Sequence, residues 1–128
     1  MQWIKPKSTA VTTTDKGQLT EQFAQDYLVT QGLIPVDKNY HCRNGELDLI
    51  MLDGDTYVFI EVKYRKNNNF GGAVAAISPS KQKKIKHCVT YYLHHSGLNV
   101  HNTCCRVDVV TLEGLITQPE ITWLKNAF

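Results

Sequence analysis

Charged side chains interrupt two apolar segments in the first half of the chain, at a spacing suited to metal and phosphate chemistry. One segment centres on Asp48, and the other, over 58–65, reads Val-Phe-Ile-Glu-Val-Lys-Tyr-Arg. On a β-strand alternate residues share a face, so Glu61, Lys63 and Arg65 would project together. Charged groups are costly to bury among apolar neighbours unless they have partners or a function. These residues are therefore the first candidates for chemistry.

The turn between the two segments decides whether the two carboxylates meet. If the four residues 53–56 form the loop, Leu52 pairs with Tyr57 and Asp48 lies opposite Glu61, whereas a three-residue loop would put the carboxylates on opposite faces. Opposed carboxylates with side chains ~5 Å apart repel unless a cation lies between them. Carboxylate oxygens without a nearby histidine or thiolate suit a hard ion, Mg²⁺ or Mn²⁺.

A metal ion beside a lysine is the apparatus of phosphodiester hydrolysis. The ion polarises the phosphate and helps to generate hydroxide, and Lys63 would orient or deprotonate a water or balance phosphate charge. Glu21, on the rim of a predicted helix face, would add a third carboxylate. The structural alternative is that Glu61 and Lys63 pair on a solvent-facing side of the sheet, with Asp48 packed near Arg65.

Length and composition favour one compact domain. The chain has 128 residues, of which 42% are hydrophobic and 20% charged, which argues against disorder or a coiled coil. We expect a flexible arm over 1–13 and a single domain over 14–128. The net charge is only +2, but the segment 61–87 holds seven Lys or Arg and one acid. This basic segment fits a phosphate-facing surface or one solvated helix face.

Membrane and secreted classes are excluded on sequence grounds. No apolar stretch approaches the ~20 residues that a membrane span needs, and the first residues lack the apolar core of a signal peptide. We therefore expect a cytoplasmic protein, in which thiols stay reduced. The four cysteines are Cys42, Cys88, Cys104 and Cys105, without a C-x-x-C pair, and a small buried thiol is predicted for each.

Periodicity and turn residues predict the order α-β-β-β-α-β-β, a mixed sheet flanked by helices. Thr14 would cap a first helix that runs to about Gln31, and Ser78 would cap a second, with Pro79 at its first position and Gly97 at its end. An Asn- and Gly-containing loop over 67–72 precedes the second helix. The predicted strands cover 33–42, 46–52, 57–65, 105–112 and 115–123. The fold class is α/β or α+β.

Several of these residues together carry a resemblance to a known family. They are Glu21, Ala24, Leu28, Arg43, the run 45–50, the run 59–65, the 72–78 loop, Lys81 and the run 106–109. In this combination the chain resembles the YraN-type family of predicted endonuclease-like proteins. That family belongs with the restriction-endonuclease-like, PD-(D/E)xK nucleases, whose nearest well-understood relatives are archaeal Holliday-junction resolvases. Leu47 stands where the broad motif has its proline.

The resemblance implies a restriction-endonuclease-like α/β core and a Mg²⁺-dependent (or Mn²⁺-dependent) endonuclease. It gives the metal to Asp48, Glu61 and the Val62 carbonyl, the catalytic lysine's place to Lys63 and the early-helix acid's place to Glu21. The expected substrate is DNA rather than RNA, selected by a branched or flapped structure. Phosphates are expected to meet Arg43, Arg65, Lys81 and Lys84. The resolvase likeness also suggests a homodimer with two sites for two strands.

The alternative is a module of the same fold that binds nucleic acid or a protein partner without cutting. Two repelling carboxylates beside a lysine argue for catalysis, because a scaffold without activity has little reason to keep them together. An apolar edge near Trp123 or Leu124 would serve either as a dimer interface or as part of the core.

Overall fold

The computed structural model describes residues 13–66 and 77–128, with side chains from residue 17 onward. Its elements are α1 (Thr13–Thr30), β1 (Ile34–Cys42), β2 (Gly45–Asp53), β3 (Thr56–Arg65), α2 (Pro79–His95), β4 (Cys105–Glu113) and β5 (Glu120–Leu124). This order confirms the predicted α/β architecture of a mixed sheet flanked by helices. The arm expected over 1–13 falls, up to residue 12, outside the described residues, and so does the loop over 67–72.

The five strands form one sheet in the order β1-β2-β3-β4-β5. Neighbours are antiparallel except for β3 and β4, which run parallel. A parallel pair needs a crossover connection, and α2 lies in the segment between these two strands. The first three strands follow one another through short turns, as the sequence predicts.

The ends of the helices depend on the residues expected to form them. Ser78 caps α2, because its hydroxyl oxygen accepts a hydrogen bond from the Lys81 backbone N–H at 3.1 Å. Pro79 is the first residue of that helix. At the end of α1, Gly32 adopts a φ of 98°, a conformation that glycine reaches without strain. Thr14 lies inside α1, which begins one residue earlier than its predicted cap.

One helix packs on each face of the sheet. Phe59 and Val109 point towards α2, and the buried residues of α2 are Ile85, Cys88, Val89, Tyr92 and Leu93. Val58 and Ile60 point the other way, towards Ala24 and Leu28 of α1. The alternation along β3 therefore gives each helix its own apolar core. No helix in the described residues is long and apolar enough to cross a membrane.

The last strand is shorter than predicted. Residues 115–119 form a turn, in which the Gln118 N–H donates to the Leu115 carbonyl at 3.0 Å, and Leu115 is 74% exposed. The apolar residues of this segment therefore mimic a strand that begins only at Glu120. Trp123 and Leu124 are half-buried and pack against the two cores, which supports the core interpretation of this edge.

The prediction of four buried thiols is wrong. Cys42 and Cys88 form a disulfide that links the end of β1 to the middle of α2, with Cα atoms 5.7 Å apart. Cys104 and Cys105 are free but exposed. The two bonded cysteines are 46 residues apart, so only the packing of α2 across the sheet reveals their pairing.

A buried aspartate connects β4 and β5 near the β2–β3 turn. Asp108 on β4 is fully buried and accepts hydrogen bonds from the Arg106 guanidinium at 3.0 Å, the Trp123 indole at 2.9 Å and the Asn126 N–H at 2.8 Å. Arg106 also binds Asp53, beside the β2–β3 turn, at 2.9 Å. This cluster joins β4, β5 and the β2–β3 turn.

Replacing Asp108 tests that structural role. We expect Asp108→Ala to lower the free energy of unfolding by about 3–5 kcal/mol, because Arg106 loses one of its two carboxylates and the N–H groups of Trp123 and Asn126 lose their acceptor. Urea denaturation followed by circular dichroism measures the change. The matched control is Asp26→Ala, at an exposed helix position, which should change stability by less than about 0.5 kcal/mol. Equal effects of the two substitutions would contradict the structural role.

Counting free thiols tests the cysteine pairing. Protein purified without reductant and then denatured should release two reactive thiols, from Cys104 and Cys105, and reduction should raise the count to four. The measurement is a colorimetric thiol titration. Mass spectrometry after alkylation should find Cys42 and Cys88 unmodified in the unreduced sample. Alkylation of all four cysteines without reduction would contradict the disulfide.

Candidate active site

The candidate site lies where β2 and β3 separate. Their pairing includes Leu52 with Tyr57, which confirms the predicted register, and it ends at Leu49 with Ile60. Two residues beyond Ile60, the Val62 N–H donates instead to the carboxylate of Asp48, the residue before Leu49, at 2.9 Å. The Asp48 carboxylate thus takes the place of a backbone carbonyl as the acceptor. The Val62 N–H keeps a hydrogen bond, and β2 and β3 can separate at this point.

The gap between the strands opens into a pocket of about 380 Å³. Asp48 comes from β2, Glu61 and Lys63 come from β3, and Glu21 reaches the same pocket from α1. The structure therefore places all four residues with predicted catalytic roles around one opening. Val62, whose carbonyl is the predicted metal ligand, also lines it.

Glu61 and Asp48 form an acidic pair in a largely buried position, and each influences the pKa of the other. Burial raises the pKa of Glu61 to about 7, helped by the neighbouring Asp48 charge and opposed by Lys81. Burial also raises the pKa of Asp48, while the Val62 N–H and a hydrogen bond from Glu61 favour its ionised form. Because like charges this close resist double ionisation, the pair favours keeping one proton between them when no cation is present.

Glu21 belongs to the same acidic group. Burial raises its pKa to about 7, with further contributions from Asp48 and Glu46. The Asn39 amide, in the orientation that satisfies its neighbours, donates to Glu21 at 2.8 Å and to Glu46 at 3.0 Å. Asn39 itself has a φ of 52°, a left-handed conformation that asparagine tolerates better than most residues. This amide fixes Glu21 relative to the sheet.

Lys81 is closer to the carboxylates than its predicted role as a phosphate contact implies. Its ammonium nitrogen lies 3.5 Å from Glu61 Oε1 and reaches it from the first turn of α2. Lys81 also lowers the pKa of Asp48, and it lowers that of Glu61 more than Lys63 does. The site therefore has two lysines, one on β3 and one on α2.

The other predicted phosphate contacts lie outside the pocket. Arg43 is exposed in the β1–β2 turn, and Lys84 is exposed on α2 near Gly45. Arg65 is half-buried at the end of β3 and makes an interaction of its own. The structure places these three residues around the site rather than in it.

The donor set of the pocket fits a hard cation. Within the described part of the chain, the residues around the pocket offer carboxylate, carbonyl and hydroxyl oxygens but neither histidine nor cysteine. Mg²⁺ accepts one or two protein carboxylates and keeps several waters. Over residues 13–66 and 77–128, no group of three His, Cys, Asp or Glu side chains is gathered tightly enough to hold a metal ion. The arrangement is thus a carboxylate pair with Glu21 nearby, rather than a closed cage.

Sequence reasoning missed Asn39 and Glu46 as parts of the site. Asparagine is depleted in strands, so its position inside a predicted strand was a signal of a special backbone conformation. Glu46 lies two residues before Asp48 and was noted only as part of a motif. Nothing in the local sequence predicts the contact between Lys81 and Glu61, because it depends on how α2 packs.

Comparison with known proteins identifies the family. Residues 20–112 match the model of the uncharacterised protein family UPF0102. A UPF0102 protein of Colwellia psychrerythraea is 66% identical over 124 residues, which cover 97% of this chain and 96% of the relative. UPF0102 proteins of Aeromonas hydrophila and Legionella pneumophila are each 45% identical, and the matches cover 88% and 91% of this chain and 84% and 96% of those relatives. The family component of the sequence resemblance is confirmed, and this chain belongs to the uncharacterised protein family UPF0102.

Proposed function

We propose that this protein is a Mg²⁺-dependent (or Mn²⁺-dependent) endonuclease that hydrolyses phosphodiester bonds of DNA. It would select branched or flapped structures rather than a base sequence, and belong to the restriction-endonuclease-like superfamily. The observation that carries the proposal is the pair of largely buried carboxylates, Asp48 and Glu61, beside Lys63 in an open pocket. A structural role would favour partners that neutralise both acids, whereas Asp48 and Glu61 repel each other, and a bound cation would relieve that repulsion.

Each residue of the pocket would have its own role in hydrolysis. Asp48 and Glu61 would hold the ion, with the Val62 carbonyl as a further ligand and Glu21 binding a water of the ion's outer shell. The ion would polarise the phosphate and lower the pKa of a bound water. Lys63 would orient that water for in-line attack and stabilise the charge that develops on the phosphate oxygens.

Basic residues around the pocket suit contacts with the DNA backbone. Arg43, Arg65 and Lys84 carry positive charge on the β1–β2 turn, the end of β3 and α2. Such contacts position the backbone without reading bases. Selection of shape rather than sequence follows, and a homodimer would present two sites to two strands of a junction.

Cleavage assays with single substitutions test the catalytic claim. With Mg²⁺ or Mn²⁺ the wild-type protein should cut at least one of branched, flapped, single-stranded or duplex DNA. Asp48→Asn, Glu61→Gln and Lys63→Met should each reduce the rate by about 10²-fold or more, because each removes a metal ligand or a charge used in the transition state. Asp26→Asn, at an exposed position on the far part of α1, should cleave like wild type.

The same samples distinguish the non-catalytic alternative. Binding of DNA that weakens ~10³-fold between 50 and 200 mM salt would show six or more phosphate contacts. Such binding without cleavage of any DNA or RNA substrate would favour a nucleic-acid-binding module. Absence of metal binding in wild type, measured by calorimetry, would overturn the nuclease proposal.

The pH dependence of stability tests the carboxylate pair directly. In EDTA, Glu61 in the folded protein titrates near 7 and in the unfolded chain near 4.5. The folded state therefore binds more protons between these values, and stability falls as pH rises through that window. Glu61→Gln should match wild type at pH 4 and exceed it by about 1–2 kcal/mol at pH 8, because glutamine resembles the protonated acid.

Urea denaturation between pH 4 and 8 measures this difference, with Glu120→Gln at an exposed position of β5 as the control. Added Mg²⁺ should stabilise wild type at pH 8 more than it stabilises Glu61→Gln, since a bound ligand stabilises the folded state. Parallel pH profiles for wild type and Glu61→Gln would contradict the raised pKa of Glu61.

A further inference from the structure

A lysine already stands beside the carboxylates that the proposed function assigns to a metal ion. The Lys81 ammonium lies 3.5 Å from Glu61 Oε1, and the Lys81 side chain is 44% exposed while that of Glu61 is 5% exposed. The lysine thus extends from the rim of the site to a buried oxygen. Lysine carries a compact charge on a flexible four-carbon chain, so its ammonium can move without movement of the backbone.

We infer that Lys81 is a tethered counter-ion of Glu61, which a divalent ion displaces and which then binds the phosphate of the substrate. This inference rests on the proposed function, since it assigns a role within the same metal site. It makes Lys81 an intrinsic competitor of the metal and couples metal binding to substrate binding. The competition would keep a positive charge beside Glu61 in the empty site and would make that ammonium available to the phosphate once the ion is bound.

Electrostatics and local structure both favour this exchange. A divalent ion and an ammonium repel at contact distance in a partly buried site, so an ion bound at Glu61 Oε1 would drive the ammonium away. The backbone of Lys81 is fixed, because its N–H is bound by the Ser78 cap. Only the side chain has to swing outward, and its exposed fraction shows that solvent already surrounds much of it. Outward movement would take the ammonium away from Glu61 and make it available to a phosphate of the substrate.

Mn²⁺ titration by calorimetry of the whole chain tests the competition. Lys81→Met keeps the length and apolar stem of the side chain but removes its charge, and it should bind Mn²⁺ about tenfold more tightly than wild type. Lys81→Arg should restore the wild-type affinity. The matched control is Lys83→Met, the same charge change two residues along α2 at an exposed position, which should stay within about twofold of wild type.

DNA binding in Ca²⁺ provides the second readout. Lys81→Met should weaken binding of a branched DNA in Ca²⁺ although it strengthens metal binding, and this opposition is what a purely structural role would not produce. Lys81→Gln is measured alongside, so that the test survives poor folding of the Met variant. If the Mn²⁺ affinity of both variants is unchanged or lower, the inference is wrong. Metal binding by the wild type would in that case still support the proposed function. Lack of Mn²⁺ binding in wild type and in all variants would overturn both.

Discussion

The carboxylates of Asp48 and Glu61 repel each other when both are ionised. They lie largely buried at the point where β2 and β3 separate. The strands part there because Asp48 takes the place of a strand partner for the Val62 N–H. The parting opens the pocket, and the pocket gives access to acids that would otherwise be sealed in the sheet. Burial and mutual repulsion then raise the pKa values of both acids. The chemistry proposed for the protein depends on this single arrangement.

A comparison with Asp108 shows why burial alone does not mark a functional acid. Asp108 is more deeply buried than Glu61, yet donors from Arg106, Trp123 and Asn126 surround its carboxylate. Such a network stabilises a charge and fixes the structure. Glu61 instead faces another carboxylate, with a lysine 3.5 Å away. The buried acids at the two ends of the sheet therefore differ in role. Asp108 stabilises the fold, and Glu61 belongs to the proposed reactive site.

The position of α2 connects the fold to the site. Cys88 is bonded to Cys42 of β1, and a Cβ added to Gly45 would lie 3.3 Å from the Cys88 sulfur and 3.5 Å from the Lys84 carbonyl. Glycine at the start of β2 thus lets the helix approach closely. Two turns before Cys88, the same helix carries Lys81 to Glu61. The packing of the middle of α2 therefore determines where the Lys81 ammonium lies.

The sequence by itself determined the order of the elements and the register of the β2–β3 hairpin, and it singled out the four candidate residues of the pocket. The order and the register follow from local rules, because alternation, helical spacing and turn residues act over a few positions. That α1 brings Glu21 to the other three residues was decided by the tertiary structure. The start of β5 was predicted too early, since apolar residues at 115–119 resemble a strand without forming one. Only the tertiary structure decided the disulfide, the bond from Asn39 to Glu21, the network around Asp108 and the contact of Lys81 with Glu61. Each brings together parts of the chain that are far apart in sequence, and such contacts are fixed by how helices and strands pack rather than by any local pattern.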